Sequence, residues 1–138
     1  MAALWRLVMN DRISPVATAK APAAAGHYSQ GLRAGATLYV SGQLPISADK
    51  SPLEDMSFAG QARQAVANML AIVEAAGGSS ADLCRVTAYI VGVENWPEFN
   101  RVYAEMLGDA KPARTVVPVA ELHYGYLVEV DGIALIGD

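Results

Sequence analysis

The stretch "SFAGQARQAVANMLAIVEAAGG" (residues 57–78) decides the fold, because the spacing of its apolar residues is that of a helix. Steps of three and four are typical of one buried helix face, and they connect Phe58, Ala62, Val66, Met69, Val73 and Ala76. Asp55 or Ser57 can cap the N-terminus, and Gly77 with Gly78 can end the helix. We therefore predict a helix here.

Strands are predicted on both sides of this helix. The stretch "ATLYVSGQL" (36–44) is rich in β-forming residues and stops at Gly42 and Pro45. The other predicted strands are, in chain order, 12–18, 83–93, 114–119 and 126–136. Segments 20–31 and 45–56 carry the small, polar and proline residues that are typical of loops.

A second helix is predicted over "NWPEFNRVYAEMLG" (95–108). Asn95 is a good N-cap, Pro97 suits the first turn, and Glu98 stands where a capping box requires an acid. Gly108 ends the helix. Its predicted buried stripe consists of Trp96, Phe99, Val102, Tyr103 and Met106.

The order of elements indicates the fold class. Strands, helix, strand, helix and strands make an α+β fold, and we expect two helices on one face of a single mixed β-sheet. The length of 138 residues corresponds to about one domain. We expect that domain to span 12–138 and residues 1–11 to form a flexible N-terminal tail.

Composition excludes several classes of protein. The chain is 53% hydrophobic and 17% charged, which is too apolar for disorder. Its net charge of −4, without a basic stripe, argues against a nucleic-acid partner. We expect no membrane span, no signal peptide and a cytoplasmic location. Cys84 is the single cysteine, which we interpret as an inert core thiol, and two histidines make a weak metal-ligand set.

Alternation along the strands predicts one apolar and one mixed sheet face. We place Val86, Ala88, Ile90, Val128 and Val130 on the apolar face, which the two helices can cover. We place Tyr89, Arg114, Val116, Leu127, Glu129 and Ile133 on the mixed face. That much exposed apolar surface predicts that another subunit covers the mixed face, with the two charged residues at or near a subunit boundary.

Arg114 stands at the head of the apolar run "RTVVPVA" (114–120). A charge left unpaired in a dry environment costs several kcal/mol. Arg114 therefore reaches water, has an internal partner such as Glu129 or Asp131, or binds an anionic ligand. Spacing alone leaves these three alternatives open.

Five blocks of the sequence resemble the Rid, or YjgF-like, family of reactive-intermediate deaminases. They are "APAAAGHYSQG" (21–31), "YVSGQLPI" (39–46), "QARQAVANMLAIVEAAG" (61–77), "KPARTVV" (111–117) and "LVEVDGIAL" (127–135). The resemblance implies a chorismate-mutase-like α+β subunit and a homotrimer with clefts between subunits. It also implies hydrolysis of enamines and imines, such as 2-aminoacrylate, to 2-keto acids and ammonia, without a cofactor.

The same resemblance assigns roles to six residues. Arg114 matches the arginine that grips a substrate carboxylate, and Glu129 matches the carboxylate that positions or activates water. The remaining four match residues that contact the ligand or lie near the pocket rim: Tyr28, Ser41, Asn100 and Trp96. All of them except Asn100 also have a purely structural interpretation, such as an ion pair, a strand end or packing.

Departures from the family pattern concern substrate identity more than fold. His27 stands where a proline precedes the tyrosine in most members, and Val116 replaces a frequent cysteine. His27 is interpreted as a proton shuttle or, more simply, as a partly exposed loop residue, and the turn at "ELHYGYL" (121–127) also departs.

Two alternatives to catalysis remain at the level of sequence. The cleft could serve a non-catalytic binding or regulatory module for a keto acid or amino acid. A ribonuclease is disfavoured by the acidic net charge.

Overall fold

A computed structural model describes residues 12–137 of the chain. It contains two helices and one six-stranded mixed sheet, so the predicted α+β class is confirmed. The predicted flexible tail at 1–11 lies outside the described residues. No helix within the described part is both long enough and apolar enough to cross a membrane.

The strands are β1 (Ile13–Val16), β2 (Gly31–Ala34), β3 (Thr37–Gln43), β4 (Leu83–Val91), β5 (Ala113–Val119) and β6 (Val128–Leu135). The helices are α1 (Phe58–Ala75) and α2 (Trp96–Leu107). Single turns of 3₁₀ helix occupy Ser80–Asp82, Val93–Asn95 and His123–Gly125.

The strands lie in the order β1-β2-β3-β6-β4-β5. Only β4 and β5 pair in parallel, and α2 connects them as a crossover. Strand β2 is absent from the sequence prediction. It has four residues and a single large apolar side chain, Leu32, and Gly35 (φ 61°) turns the chain directly into β3. A strand this short carries too little alternation to be recognised.

The core lies between the sheet and the two helices, which pack on the same face. Helix α1 contributes the predicted stripe, and its largest fully buried side chains are Val66, Met69, Ile72 and Val73. Helix α2 adds Phe99 and Val102, and the sheet adds Leu38, Val86, Ile90, Val128 and Val130. Burial of these apolar side chains is the main force that holds the helices on the sheet.

The predicted N-cap of α1 is confirmed. The Ser57 hydroxyl accepts a hydrogen bond from the Gly60 amide at 3.1 Å, and Asp55 Oδ1 accepts one from the Ser57 amide at 2.9 Å. The chain leaves the helix through Gly77, whose φ of 92° is readily adopted only by glycine.

Asn95 stands at the N-cap position of α2, as predicted, but the predicted capping interactions do not form. Asn95 makes no side-chain cap bond; its Nδ2 donates instead to the Val91 carbonyl at 2.9 Å. Glu98 pairs with Arg101 at 2.7 Å, so the capping box does not form. Trp96 is 38% exposed and therefore does not belong to the buried stripe.

The assignment of β5 to the sheet faces is also wrong. Because β4 and β5 pair in parallel, Arg114 lies beside Val86 and Val116 beside Ala88, both on the helix side of the sheet. Alternation could not reveal this, since Val116 and Val117 are equally apolar and only the register distinguishes them. Leu127, also predicted on the mixed face, packs against the core ahead of β6.

The opposite sheet face is open in a single chain. It carries exposed apolar side chains, including Leu32, Tyr39 and Leu135, together with Glu129 and Asp131. The prediction of an apolar surface on the mixed face is therefore correct, although its membership differs.

Cys84 is exposed, so its interpretation as a core thiol is wrong. The pairing of β4 with β6 shifts between Leu83 and Arg85, and this irregularity turns Cys84 away from the core.

Candidate functional site

Arg114 is held against α2. Its Nη1 donates to Asn100 Oδ1 at 3.0 Å, and its guanidinium carbon lies 5.0 Å from the centre of the Tyr103 ring. The ring face attracts the cation, and the amide orients it. Arg114 and Asn100, two of the predicted site residues, are thus brought together, while Tyr103, predicted only as a core residue, is a third member of the group.

A cleft of about 280 Å³ opens beside this arginine, between the C-terminal half of α2 and the start of β5. Lys111 lines it as a second cation, and none of its described lining residues is acidic. The ion pairs found in residues 12–137 are Lys20–Glu74, Arg63–Glu105 and Glu98–Arg101. Pairing of Arg114 with Glu129 or Asp131 therefore does not occur within the described chain.

Glu129 lies on the open sheet face, directly across from Tyr89 on β4. Partial burial raises the pKa of the Glu129 carboxyl, the charge of Asp131 raises it further, and His123 opposes the change. The pKa of Asp131 is raised as well, first by burial, while Tyr89 and Arg85 lower it. Proximity of two acids in a partly desolvated place makes Glu129 hold its proton more tightly than a free glutamate.

The Glu129 carboxylate lies against Gly42. A Cβ atom at this position would collide with Glu129 Oε2, so only glycine leaves room for the acid. The register of β3 with β6 slips between Val40 and Gln43, which makes a bulge at Ser41 and Gly42. Bulges re-aim backbone and side chains, and they are frequent beside active sites.

Ser41 and Tyr28 lie near this bulge. The Ser41 hydroxyl donates to the Ser29 carbonyl at 2.6 Å, so it tethers the loop that carries Tyr28. Tyr28 is 51% exposed, and its hydroxyl accepts from the Ala25 amide at 3.3 Å, which leaves the phenolic proton free to donate. Tyr28 and Gly42 line one pocket of about 300 Å³.

Two buried amides hold the loops around this pocket, and the sequence analysis assigned neither a role. Gln30 Nε2 donates to the Thr18, Ala21 and Pro22 carbonyls, and its Oε1 accepts from the Thr18 amide. Asn68 Nδ2 donates to the Leu44 and Ile46 carbonyls. Asn68 carries a signal in the sequence, since it is an amide between the predicted buried positions Val66 and Met69, whereas Gln30 lies in a predicted loop without such a signal.

Trp96 and His27 lie apart from these clusters. Trp96 begins α2, one turn before Asn100, and does not line the arginine cleft. His27 is exposed in its loop, as the simpler interpretation expects. Within residues 12–137 no group of three His, Cys, Asp or Glu side chains is placed to hold a metal ion.

The candidate residues therefore form two separate groups. Arg114 and Asn100 lie on the helix side of the sheet, while Glu129 lies on the open side beside Gly42 and the Tyr28 loop. Side chains on opposite faces of a sheet cannot converge on one small ligand within the same chain.

Comparisons with known proteins identify relatives along nearly the whole chain. A family model described as Endoribonuclease L-PSP matches residues 18–136. A RutC family protein of Pyrococcus horikoshii is 39% identical over 117 residues, covering 85% of this chain and 93% of the relative. A 2-iminobutanoate/2-iminopropanoate deaminase of Dermatophagoides farinae is 35% identical over 121 residues, covering 88% and 94%.

A solved structure agrees with these matches. The crystal structure of RidA from an Antarctic Psychrobacter species superposes with a TM-score of 0.83 at 38% identity, covering 89% of this chain and 99% of that one. The predicted chorismate-mutase-like α+β fold is thereby confirmed.

Proposed function

The chain belongs to the Endoribonuclease L-PSP family, which includes the YjgF-like, RutC and Rid proteins, and on that basis we propose that it is a hydrolytic deaminase. Its substrates would be small reactive enamine and imine acids, such as 2-aminoacrylate, and its products 2-keto acids and ammonia. A relative whose name specifies 2-iminobutanoate and 2-iminopropanoate supports this choice. The observation that carries the proposal is an arginine with free donors and no acidic partner in the described chain.

Arg114 would bind the substrate carboxylate. One of its nitrogens donates to Asn100, and the rest of the planar fork remains available for two parallel bonds to a carboxylate. Tyr103 and Asn100 hold the fork in place before the substrate arrives, so little orientation has to be gained on binding.

Glu129 would act on water. An enamine first takes up a proton on carbon and becomes the imine. Glu129 then accepts a proton from water as the water oxygen attacks the imine carbon. Glu129 returns this proton to the nitrogen, which gives a carbinolamine. The carbinolamine hydroxyl then gives up its proton to Glu129, the amino nitrogen takes up a proton, the C–N bond breaks, and ammonia leaves with a keto group in its place. A carboxyl whose pKa is raised toward neutrality can both accept and return that proton.

A complete site would need two copies of the chain. Because Arg114 and Glu129 occupy opposite sheet faces, one protomer would supply the arginine group and its neighbour the glutamate group. The exposed apolar side chains of the open face favour a closed assembly, and we propose a homotrimer with three such clefts.

A coupled assay tests the activity. A pyridoxal-phosphate dehydratase generates the imine, and keto-acid release is measured with and without the protein. Addition of the protein should accelerate release, and Arg114→Ala should remove the acceleration. The matched control is Arg101→Ala, which removes an exposed arginine paired with Glu98.

Other outcomes would select other functions. Saturable binding of a keto acid without faster imine loss would identify a binding or regulatory module. Cleavage of RNA that depends on Arg114 would support the activity named in the family description, against the expectation from the net charge of −4.

A further inference from the structure

Tyrosine side chains line the pocket beside Glu129. Tyr28, Tyr124 and Tyr126 line the same cavity of about 300 Å³. The rings of Tyr124 and Tyr126 meet edge to face with centres 6.3 Å apart, and the ring of His123 lies 3.7 Å from that of Tyr124. The Tyr124 ring is therefore braced on two sides although it is 70% exposed.

Two residues of this pocket have an unusual backbone conformation. Tyr124 has a φ of 61° and Lys50 a φ of 63°, and they are the only non-glycine residues of the described chain in the left-handed region. Side chains other than glycine are strained there, and such strain is concentrated at functional sites. Both residues line this one cavity, which supports a ligand-binding role for it.

The pocket is continuous with the proposed reaction centre. Gly42 lines the cavity, and the Glu129 carboxylate lies against the same glycine. His123, which precedes Tyr124, is close enough to lower the pKa of Glu129. A ligand whose reacting carbon is near Glu129 would therefore project its side chain toward the tyrosines.

The chemistry of the walls limits that side chain. The described lining residues are aromatic, aliphatic or amide, with Lys50 as the single cation and no acid. Tyrosine rings favour a flat apolar group through edge-to-face and stacked contacts. Lys50 disfavours a positively charged group.

We infer that this pocket is the side-chain subsite of the proposed site and that it selects imino acids with a flat aromatic side chain that carries no positive charge. The inference rests on the proposed function only for the carboxylate end of the ligand, which Arg114 would hold. Tyr124 is the specificity-determining residue. Its ring lines the pocket, and the turn His123–Gly125 holds it there outside the hydrophobic core, so it is free to contact a ligand.

Binding of product analogues tests the inference separately from turnover. Phenylpyruvate, 4-methyl-2-oxopentanoate and pyruvate are titrated into the intact protein by calorimetry. Phenylpyruvate should bind about tenfold more tightly than pyruvate, with the aliphatic acid between them, as expected for two or three aromatic contacts. A ratio of less than threefold would overturn the inference.

Two variants at one position provide the matched control. Tyr124→Asn removes the ring but tolerates a positive φ, and it should reduce the phenylpyruvate preference to about twofold. Tyr124→Phe keeps the ring and should retain the preference. If Tyr124→Asn keeps the full preference while the protein remains folded, the subsite lies elsewhere.

Failure of the proposed function would have a different signature. Tight phenylpyruvate binding that depends on the Tyr124 ring, without faster release of keto acid from any imine, would leave the subsite standing and remove the deaminase. Faster release of keto acid from small imines, with no preference for aromatic ligands, would support the deaminase and overturn the subsite.

Discussion

The two faces of the sheet place their charged residues in different environments. On the helix side, Arg114 is fixed by Asn100 and Tyr103 in a cleft whose described lining has no acid. On the open side, Glu129 is half-buried beside a second acid, and its pKa is raised. One face holds a guanidinium oriented by its neighbours, and the other holds an acid that binds its proton more tightly than a free glutamate does.

Because Arg114 and Glu129 lie on opposite faces, the proposed site requires two copies of the chain. If the Arg114 guanidinium and the Glu129 carboxylate met within one protomer, they would form an ion pair, and neither would be free to bind a ligand. Their separation by the sheet prevents this pairing, and in the proposed assembly each would be available to a ligand at a boundary between copies. The following predictions test that division of labour.

Mixing two inactive variants gives the largest effect. Arg114→Ala and Glu129→Gln should each lower kcat/KM by about 10²–10⁴-fold, the usual range for loss of such a group. If neighbouring subunits supply the two residues, co-refolding the variants in equal amounts restores about a quarter of wild-type sites in a closed ring. Activity is measured before and after mixing.

The double variant Arg114→Ala/Glu129→Gln, refolded with the wild-type chain, controls for mixing. It contributes neither residue, so the mixture should show no more activity than its wild-type chains give alone. No recovery from the two single variants, although mass spectrometry detects mixed assemblies, would mean that both residues act from one chain.

Gly42→Ala should be the next most damaging change. The added Cβ collides with Glu129 Oε2 and displaces the carboxylate, and a shift of about 1 Å at a reacting group can cost 10²-fold. We expect kcat to fall with little change in KM, since the arginine side is untouched. Gly137→Ala is the matched control, because a Cβ there meets nothing within 4 Å.

The pH profile gives a smaller effect. Glu129 works as a base only when ionised, and burial raises its pKa above the ordinary 4.5, so kcat/KM should fall as the pH drops through that raised value. Asp131→Asn removes a neighbouring negative charge and should move this acidic limb to lower pH. Because burial is the larger cause, the limb should remain above pH 4.5. The exposed Glu54→Gln should leave the profile unchanged.

What could be predicted from sequence follows the local signals. Residues 57–78 contain both the helical spacing of apolar residues and the capping residue. Ser57 caps the helix and Gly77 ends it, as predicted. The face of β5 depends on its register with β4, which no local pattern encodes, so Val116 was assigned to the wrong side.

The candidate site shows the same limit. The family resemblance indicates Arg114 and Glu129 as candidates, but their placement on opposite faces follows from the register of β5 and β6 with β4. The aromatic pocket joins Tyr28 and Tyr124, which are far apart in the chain and meet only through packing. The positive φ angles of Lys50 and Tyr124 likewise cannot be predicted from the sequence.

The hydroxyl of Tyr103 offers the smallest and most discriminating test. It is buried without a hydrogen-bond partner in the described chain, although its ring carries Arg114. An unsatisfied buried hydroxyl destabilises a fold by about 1–3 kcal/mol. Tyr103→Phe should therefore raise the free energy of unfolding by about 1 kcal/mol and leave the arginine contact intact, as measured by urea denaturation.

Tyr124→Phe is the matched control, because that residue is 70% exposed and the change should alter stability by less than about 0.5 kcal/mol. If Tyr103→Phe instead destabilises the protein or lowers kcat/KM tenfold, the hydroxyl has a partner that a single chain does not contain. That partner would be the neighbouring subunit or the substrate. The arginine face would then be completed from outside the protomer through Tyr103 as well as through Arg114.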